Sequence, residues 1–226
     1  MSQIHIPSLR RYITKKRKEI LILLAEFSRF GLFTFGGGWS IIAQMQQLYV
    51  EKKKTITAEE LLDLSRMDDG NIGKSVPVNM TKVTEEAVAL LKPLSSEQNV
   101  EIKLDLEPDS IVLATENDLY HVVFNLVENA IKYNRENGKA VITVGEDSGR
   151  KFFSVVDNGV GIPADAHERV FERFFRVDRS HSRKIGGTGL GLSIVKEILK
   201  MHNFPFGVSS EEGKGSVFWF ELDTIE

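Results

Sequence analysis

Cysteine is absent from the 226-residue sequence. That rules out a disulfide framework and any thiolate metal site, and it fits a reducing compartment. A basic excess is missing too: the net charge is −3, which gives no electrostatic case for a nucleic-acid partner. No internal repeat or low-complexity tract is present. An uninterrupted transmembrane run is also lacking. The most apolar stretch, Glu19 to Met45, is broken by Glu26 and Arg29, and Gly36-Gly37-Gly38 would end a helix. No small-residue cleavage site follows it, which argues against a secretory signal.

What remains is ordinary in composition, with 42% apolar and 27% charged residues, but uneven along the chain. Residues 1–18 hold Arg10, Arg11, Lys15, Lys16, Arg17 and Lys18 without an acid, so they carry +6 and leave −9 for residues 19–226. A basic flank before an apolar stretch matches the positive-inside pattern. Residues 19–50 are therefore expected to contact a membrane, by spanning it or lying on its surface. An amphipathic helix packed on another domain is the alternative.

Further on, Thr57 and Glu60 form a capping box before Leu61, Leu62 and Leu64. Strand patterns are expected at Val76 to Asn79, at "VEIKLDLE" and "SIVLAT" about the turn Pro108-Asp109, at "AVITVGED" and "KFFSVVD" about Ser148-Gly149, and at "FGVSS" and "GSVFWFEL". Helices are expected from Thr81 to beyond Leu91, over His121–Asn134, and over Leu190–Met201. Helices alternating with mostly hairpin-linked strands predict an α+β fold, a two-layer α/β sandwich with one sheet covered by helices.

Three features depart from core logic. In "HVVFNLVENAIKYN", Val122, Val123, Leu126, Ala130 and Ile131 make a core stripe, yet Asn125 and Asn129 share a second face four residues apart. Amides are poor helix formers and costly to bury unpaired. In "DNGVGIP", Asp157 ends an apolar strand and should be half buried and in need of a donor, for which an adenine amino group would serve. Gly159 and Gly161 free the backbone for close approach. A plain turn with an Asx cap is the competing reading. In "GGTGLGLSIV", glycines run straight into a helix whose free amides suit phosphate. The later Gly213 and Gly215 read as hairpin glycines. Between the first two glycine clusters lies a long polar loop with aromatics and Arg169, Arg173, Arg176, Arg179, Arg183 and Lys184, of a kind that forms lids.

Asparagine helix, "DNGVGIP", "VFERFFRVD" and "GGTGLGL", in this order, resemble the N, G1, F and G2 boxes of the catalytic ATP-binding domain of two-component sensor histidine kinases. That domain belongs to the GHKL or Bergerat-fold superfamily. The likeness covers about Asn71 to Glu226. It implies ATP and Mg2+ as cofactors. By analogy Asn129 coordinates magnesium with Asn125 supporting it, Lys132 faces the phosphates and Tyr133 lies against the nucleotide. Asp157 accepts from adenine, and Gly159, Gly161 and Ile162 admit the base. Gly187, Thr188, Gly189, Leu190 and Gly191 line the phosphate side, with Arg173 and Arg176 reaching the γ-phosphate. Glu128 and His121 read as ordinary surface positions. ATP-hydrolysing relatives carry a glutamate at the position of Asn125, and asparagine cannot act as a general base. Phosphoryl transfer to a histidine is implied instead of hydrolysis. The implied partners are a histidine-bearing dimerisation hairpin, a response regulator and a second copy in a homodimer, and the implied place is a cytoplasmic domain attached to the inner membrane.

Two departures qualify that resemblance. The phosphoacceptor motif, similar to S-H-E-x-R-T-P-L in the family, has no counterpart among the five histidines. Leu24 to Leu64, with "GLFTFGGG" and the helix "EELLDL", instead resembles the beginning of chromate transporter family proteins. The expected organisation is thus residues 1–64 transporter-like, 65–75 a linker at the end of a hairpin-like helix, and 76–226 the ATP-binding catalytic domain. The competing functions are a membrane-tethered ATP-binding module without kinase activity, an anti-sigma-type serine kinase, and, last, transport. A smaller departure is Asn203-Phe204, where the family often has a glycine pair.

Overall fold

The computed structural model describes residues 74–177 and 188–222. The transporter-like segment, the linker as far as Gly73, the loop with Arg179, Arg183, Lys184 and Gly187, and the last four residues lie outside that range. The expectations placed there, membrane contact by residues 19–50 included, are therefore not described. No helix among the described residues is long and apolar enough to cross a membrane.

Strand β1 (Val76–Asn79) leads directly into helix α1 (Met80–Glu97). Asn79 caps the helix, its side chain accepting from Lys82 N at 3.2 Å. The buried stripe of α1 includes Met80, Val83, Ala87, Val88 and Leu91. Pro93 lies inside the helix, yet the helix continues to Glu97. Asn99 closes it in the left-handed region at φ 52°, and Val100 N returns to Ser95 O at 2.9 Å.

Strands β2 (Glu101–Leu106) and β3 (Ile111–Ala114) follow. The sequence pattern predicts a turn at Pro108-Asp109, and the turn is there, but the two strands beside it do not pair with each other. β3 pairs antiparallel with β1, whereas β2 pairs in parallel with β4 (Lys139–Asp147). The connecting turn is tied elsewhere, since Thr81 Oγ1 donates to Glu107 O at 2.6 Å and Met80 N donates to Ser110 O at 2.8 Å. A parallel neighbour needs a crossover, and helix α2 (Glu116–Lys132) supplies it.

The main sheet has the order β2-β4-β5-β7-β6, with β5 at Arg150–Asp157, β6 at Phe206–Glu211 and β7 at Gly215–Leu222. The last three pairings are antiparallel. Period-2 alternation puts one side chain in two on the inner face. Register then stacks that face into rows: Val144, Phe153, Phe220 and Phe206, then Ile142, Val155, Phe218 and Val208. Phe153 and Phe220 are fully buried and stack at 5.1 Å. Helix α2 covers this face and packs against α1 on one side and helix α3 (Gly191–Met201) on the other. Leu119, Val122, Val123, Leu126, Val127, Ala130 and Ile131 of α2 are buried. Each of the larger ones stabilises the layer by roughly 1.5–3 kcal/mol. The fold is α+β, a mixed sheet under helices, with the small β1-β3 ribbon at its margin.

At the end of α3, Asn203 adopts φ 57° and Phe204 N bonds Leu199 O at 2.9 Å. Asparagine thus takes the left-handed cap that the family's glycine would occupy. Phe204 is buried and stacks on His202, whose Nε2 lies 2.9 Å from Asp118 Oδ2 at the start of α2. This pair ties the far end of α3 to the first turn of α2.

Candidate functional site

The next row of the inner face is not apolar. Ala140 pairs with Asp157 and Ser216 pairs with Ser210, and continuing the β5–β7 register by one residue sets Asp157 beside Ser216. The row of aromatic and aliphatic side chains therefore ends in a carboxylate and two hydroxyls. Asp157 is half buried, and burial raises its pKa above the ordinary carboxylate range. Hydrogen bonds from the backbone N–H of Gly159 and Ser216 pull it back down. The Gly159 bond, at 2.8 Å to Oδ1, is an Asx turn. Both sequence readings of Asp157, local cap and buried carboxylate, hold together, because a carboxylate can accept about four hydrogen bonds.

The turn after Asp157 is enclosed on two sides. A Cβ on Gly159 would stand 2.4 Å from Tyr133 O, and Val160 N donates to that same carbonyl at 3.1 Å. On the other side lies the β6–β7 hairpin. Gly161 has φ +67°, and a Cβ there would come within 2.1 Å of Glu211 O. Ile162 N donates to Ser210 Oγ at 2.8 Å and Gly213 N to Val160 O at 2.7 Å. A Cβ on Gly215 would lie 2.0 Å from Asp157 O. The sequence reading gave the hairpin glycines no role in the site, and it missed Ser210 and Ser216. Their signal was available in the alternation that puts both on the face of Phe218 and Phe220.

On α2, Asn125 and Asn129 are both half buried. Asn125 Nδ2 donates to His121 O at 2.8 Å, which turns Oδ1 the other way, toward α3. A Cβ on Gly191, the first residue of α3, would be 2.5 Å from that Oδ1. The asparagine face and the glycine-led helix start thus lie close together, and a Cβ at Gly191 would displace the Asn125 amide from its present position. Among the described residues the Asn129 side chain has no hydrogen-bond partner. Lys132 forms an ion pair with Glu128 at 2.8 Å, with both side chains largely covered, so Glu128 is more than a surface position. Tyr133 is 37% exposed.

Gly189 has φ +75° and accepts from Phe174 N at 2.9 Å through its carbonyl. Leu190 is fully buried, with its N–H on Thr188 Oγ1 at 3.3 Å. Among the described residues no side-chain cap bond is formed at Leu190, the N-cap of α3, and no partner stands on the amides of its first turn. The arginines are placed differently. Arg173 is exposed, and Arg176 lines a cavity of about 400 Å³ with Pro163, Arg169 and Phe175. None of Asn125, Asn129, Asp157, Gly189 and Gly191 borders that cavity. His167, through Nε2 at 3.0 Å from Ile162 O, joins this segment to the Asp157 turn.

Comparison with known proteins matches half of the chain, residues 114–226, to the family "Histidine kinase-, DNA gyrase B-, and HSP90-like ATPase". Residues 21–68 match the chromate transporter family. Among curated relatives, the sensor-like histidine kinase SenX3 of Mycolicibacterium smegmatis is 38% identical over 164 residues, 72% of this chain and 43% of the relative. The sensor histidine kinase WalK of Bacillus subtilis is 39% identical over 57% of this chain and 22% of its own length. The chain therefore spans less than half of these relatives. Among solved structures, full-length ShkA in complex with AMPPNP superposes with TM-score 0.63 at 32% identity, covering 73% of this chain and 34% of ShkA. The nucleotide-free catalytic domain of histidine kinase ThkA gives TM-score 0.58 at 30% identity, covering 66% and 95%.

Proposed function

This chain belongs to the histidine kinase-, DNA gyrase B-, and HSP90-like ATPase family, and on that premise we propose that residues 76–226 bind Mg-ATP and offer its γ-phosphoryl group to a histidine of another polypeptide. Its relatives are sensor histidine kinases, and the region is an ATP-binding domain of that kind. The observation that carries the reading is the close approach of Asn125 Oδ1 to the Cβ-less Gly191, which sets the asparagine face against the first-turn amides of α3. Phosphates placed at those amides lie beside Asn129.

Asn129 holds magnesium, with Asn125 in support. Amide oxygens are hard donors, and among the described residues no cluster of three or more His, Cys, Asp or Glu side chains offers an all-protein cage. A magnesium ion held by these amides would neutralise phosphate charge. Asp157 accepts from the adenine amino group, while Gly159, Gly161 and Ile162 shape the entry for the base. Tyr133 lies against the nucleotide. Lys132, held by Glu128, faces the phosphates, and Gly187, Thr188, Gly189, Leu190 and Gly191 line that side. Arg173 and Arg176 approach the γ-phosphate from the lid. Asn125 cannot take a proton from water, so the bound ATP persists until a nucleophile arrives. Transfer then rests on positioning and charge neutralisation.

Residues 1–64 form a separate transporter-derived segment joined through 65–75, and membrane attachment comes from that part. Partners are a helical hairpin carrying the acceptor histidine, a response regulator downstream, and a second copy of the chain.

Titration of a fluorescent ATP analogue with magnesium tests the site: wild type binds, and Asn129→Asp and Asp157→Asn bind at least about tenfold more weakly. Equal binding by all three defeats the assignment. The missing acceptor motif favours one alternative, a binding module without transfer. Label from γ-labelled ATP appearing on an added hairpin partner, and not on the chain alone, decides for the kinase.

A further inference from the structure

The polar row at the sheet end has a proton arrangement that can be read from its oxygens. Ser210 Oγ is 2.8 Å from Gly215 O, which can only accept, so the single Ser210 proton points there. Ile162 N–H donates to the same Oγ at 2.8 Å, filling one lone pair. Ser216 Oγ stands 2.9 Å away, and with the Ser210 proton already committed, Ser216 must be the donor. Ser210 Oγ then has both lone pairs and its proton satisfied. The Ser216 proton is likewise spent, leaving Ser216 Oγ with lone pairs alone. Ser216 is 6% exposed and lies on the same sheet face as Asp157, one strand away, with its backbone N–H on the Asp157 carboxylate.

We infer that Ser210 is a specificity-determining positioning residue: it orients the Ser216 hydroxyl so that this end of the candidate site only accepts hydrogen bonds. The inference rests on the nucleotide reading above and deepens it. An acceptor-only end suits a base edge bearing an amino group. It opposes one bearing a carbonyl, because two acceptors facing each other in a partly buried site leave both unpaired. Ser210 belongs to the hairpin and reaches the site only through Ser216 and Ile162. The same oxygen pins the Gly161-Ile162 turn, so base polarity and turn position are set by one hydroxyl.

The experiment uses the full chain with magnesium and compares affinities for ATP and for inosine triphosphate, whose ring has a carbonyl in place of the adenine amino group. Wild type prefers ATP. Ser210→Ala frees the Ser216 proton to donate, and the ATP-to-inosine triphosphate preference narrows by about tenfold, while competition by inorganic tripolyphosphate is unchanged. Ser210→Thr keeps a hydroxyl and restores the preference. A folded Ser210→Ala that retains the wild-type ratio, or weakens both nucleotides alike, overturns the inference and leaves the nucleotide reading intact. Should Ser210→Ala fail to fold, Ser216→Ala carries the test: it narrows the ratio by removing the acceptor, and an unchanged ratio overturns the inference. A wild-type chain that binds neither triphosphate overturns both.

Discussion

The two sides of the candidate site hold their backbones with different amounts of room. Around Asp157 the backbone is clamped between the end of α2 and the β6–β7 hairpin, with carbonyls standing where a Cβ on Gly159, Gly161 or Gly215 would have to go. Around Phe174 the backbone is also packed, a Cβ on Gly189 meeting Phe174 C and Phe175 O at 3.0 Å, but with more room than the 2.0–2.4 Å beside Asp157. The Phe174 side chain is 56% exposed at φ 64°, a conformation unfavourable for a bulky residue, and its N–H is held by the Gly189 carbonyl. A recognition end gains from fixed donors and acceptors, since misplacing them loses selectivity. A lid gains from a conformation whose cost lets it change. On the function proposed above, the hairpin side would select the base and the Phe174 side would close over it.

That comparison breaks most readily at Gly215. With φ +115° and Asp157 O at 2.0 Å from a would-be Cβ, Gly215→Ala should destabilise the domain by about 2–4 kcal/mol, measured by chemical denaturation. Gly213, two residues earlier in the same hairpin, has φ +79° but open space, and Gly213→Ala should cost only about 1 kcal/mol. Equal losses would show that the hairpin is not clamped to Asp157.

A finer probe uses pH. Burial raises the Asp157 pKa in the folded state, so the carboxyl prefers its proton there more than in the unfolded chain. Its contribution to stability is complete below the unfolded value, about 3.9, and is lost as pH rises through the raised folded value. Asp157→Asn is fixed in a neutral form, so its melting temperature should gain on wild type between mildly acid and neutral pH. A constant difference would mean that the carboxylate is fully compensated by its backbone donors. The smallest effect belongs to the lid. Phe174→Gly removes left-handed strain at an exposed site and should change stability by less than about 1 kcal/mol, in the stabilising direction, by thermal melting. A clear loss would place Phe174 among the rigid elements.

Much of the site was legible because its signals are local. The two asparagines four residues apart, the Asp157 turn and the glycines before α3 each show in a few consecutive residues. The turn between β2 and β3 is legible, but a turn sequence does not reveal which strands pair around it. Thr81 and Met80, some thirty residues upstream, redirect that turn, and β2 finds β4 across a helix instead. Ser210 and Ser216 were overlooked for a related reason: a serine in a strand has no meaning until register says what stands beside it.

Periodicity and short motifs alone determined the helices and most strands, since these depend on neighbours three or four positions apart, and the family resemblance carried by four motifs in order implied the kind of ligand. Tertiary structure alone decided that the Ser210 and Ser216 hydroxyls meet, that Gly191 starts α3 against the Asn125 amide, and that the hairpin tip packs on the Asp157 turn. Those facts depend on contacts between residues tens of positions apart, which only packing brings together.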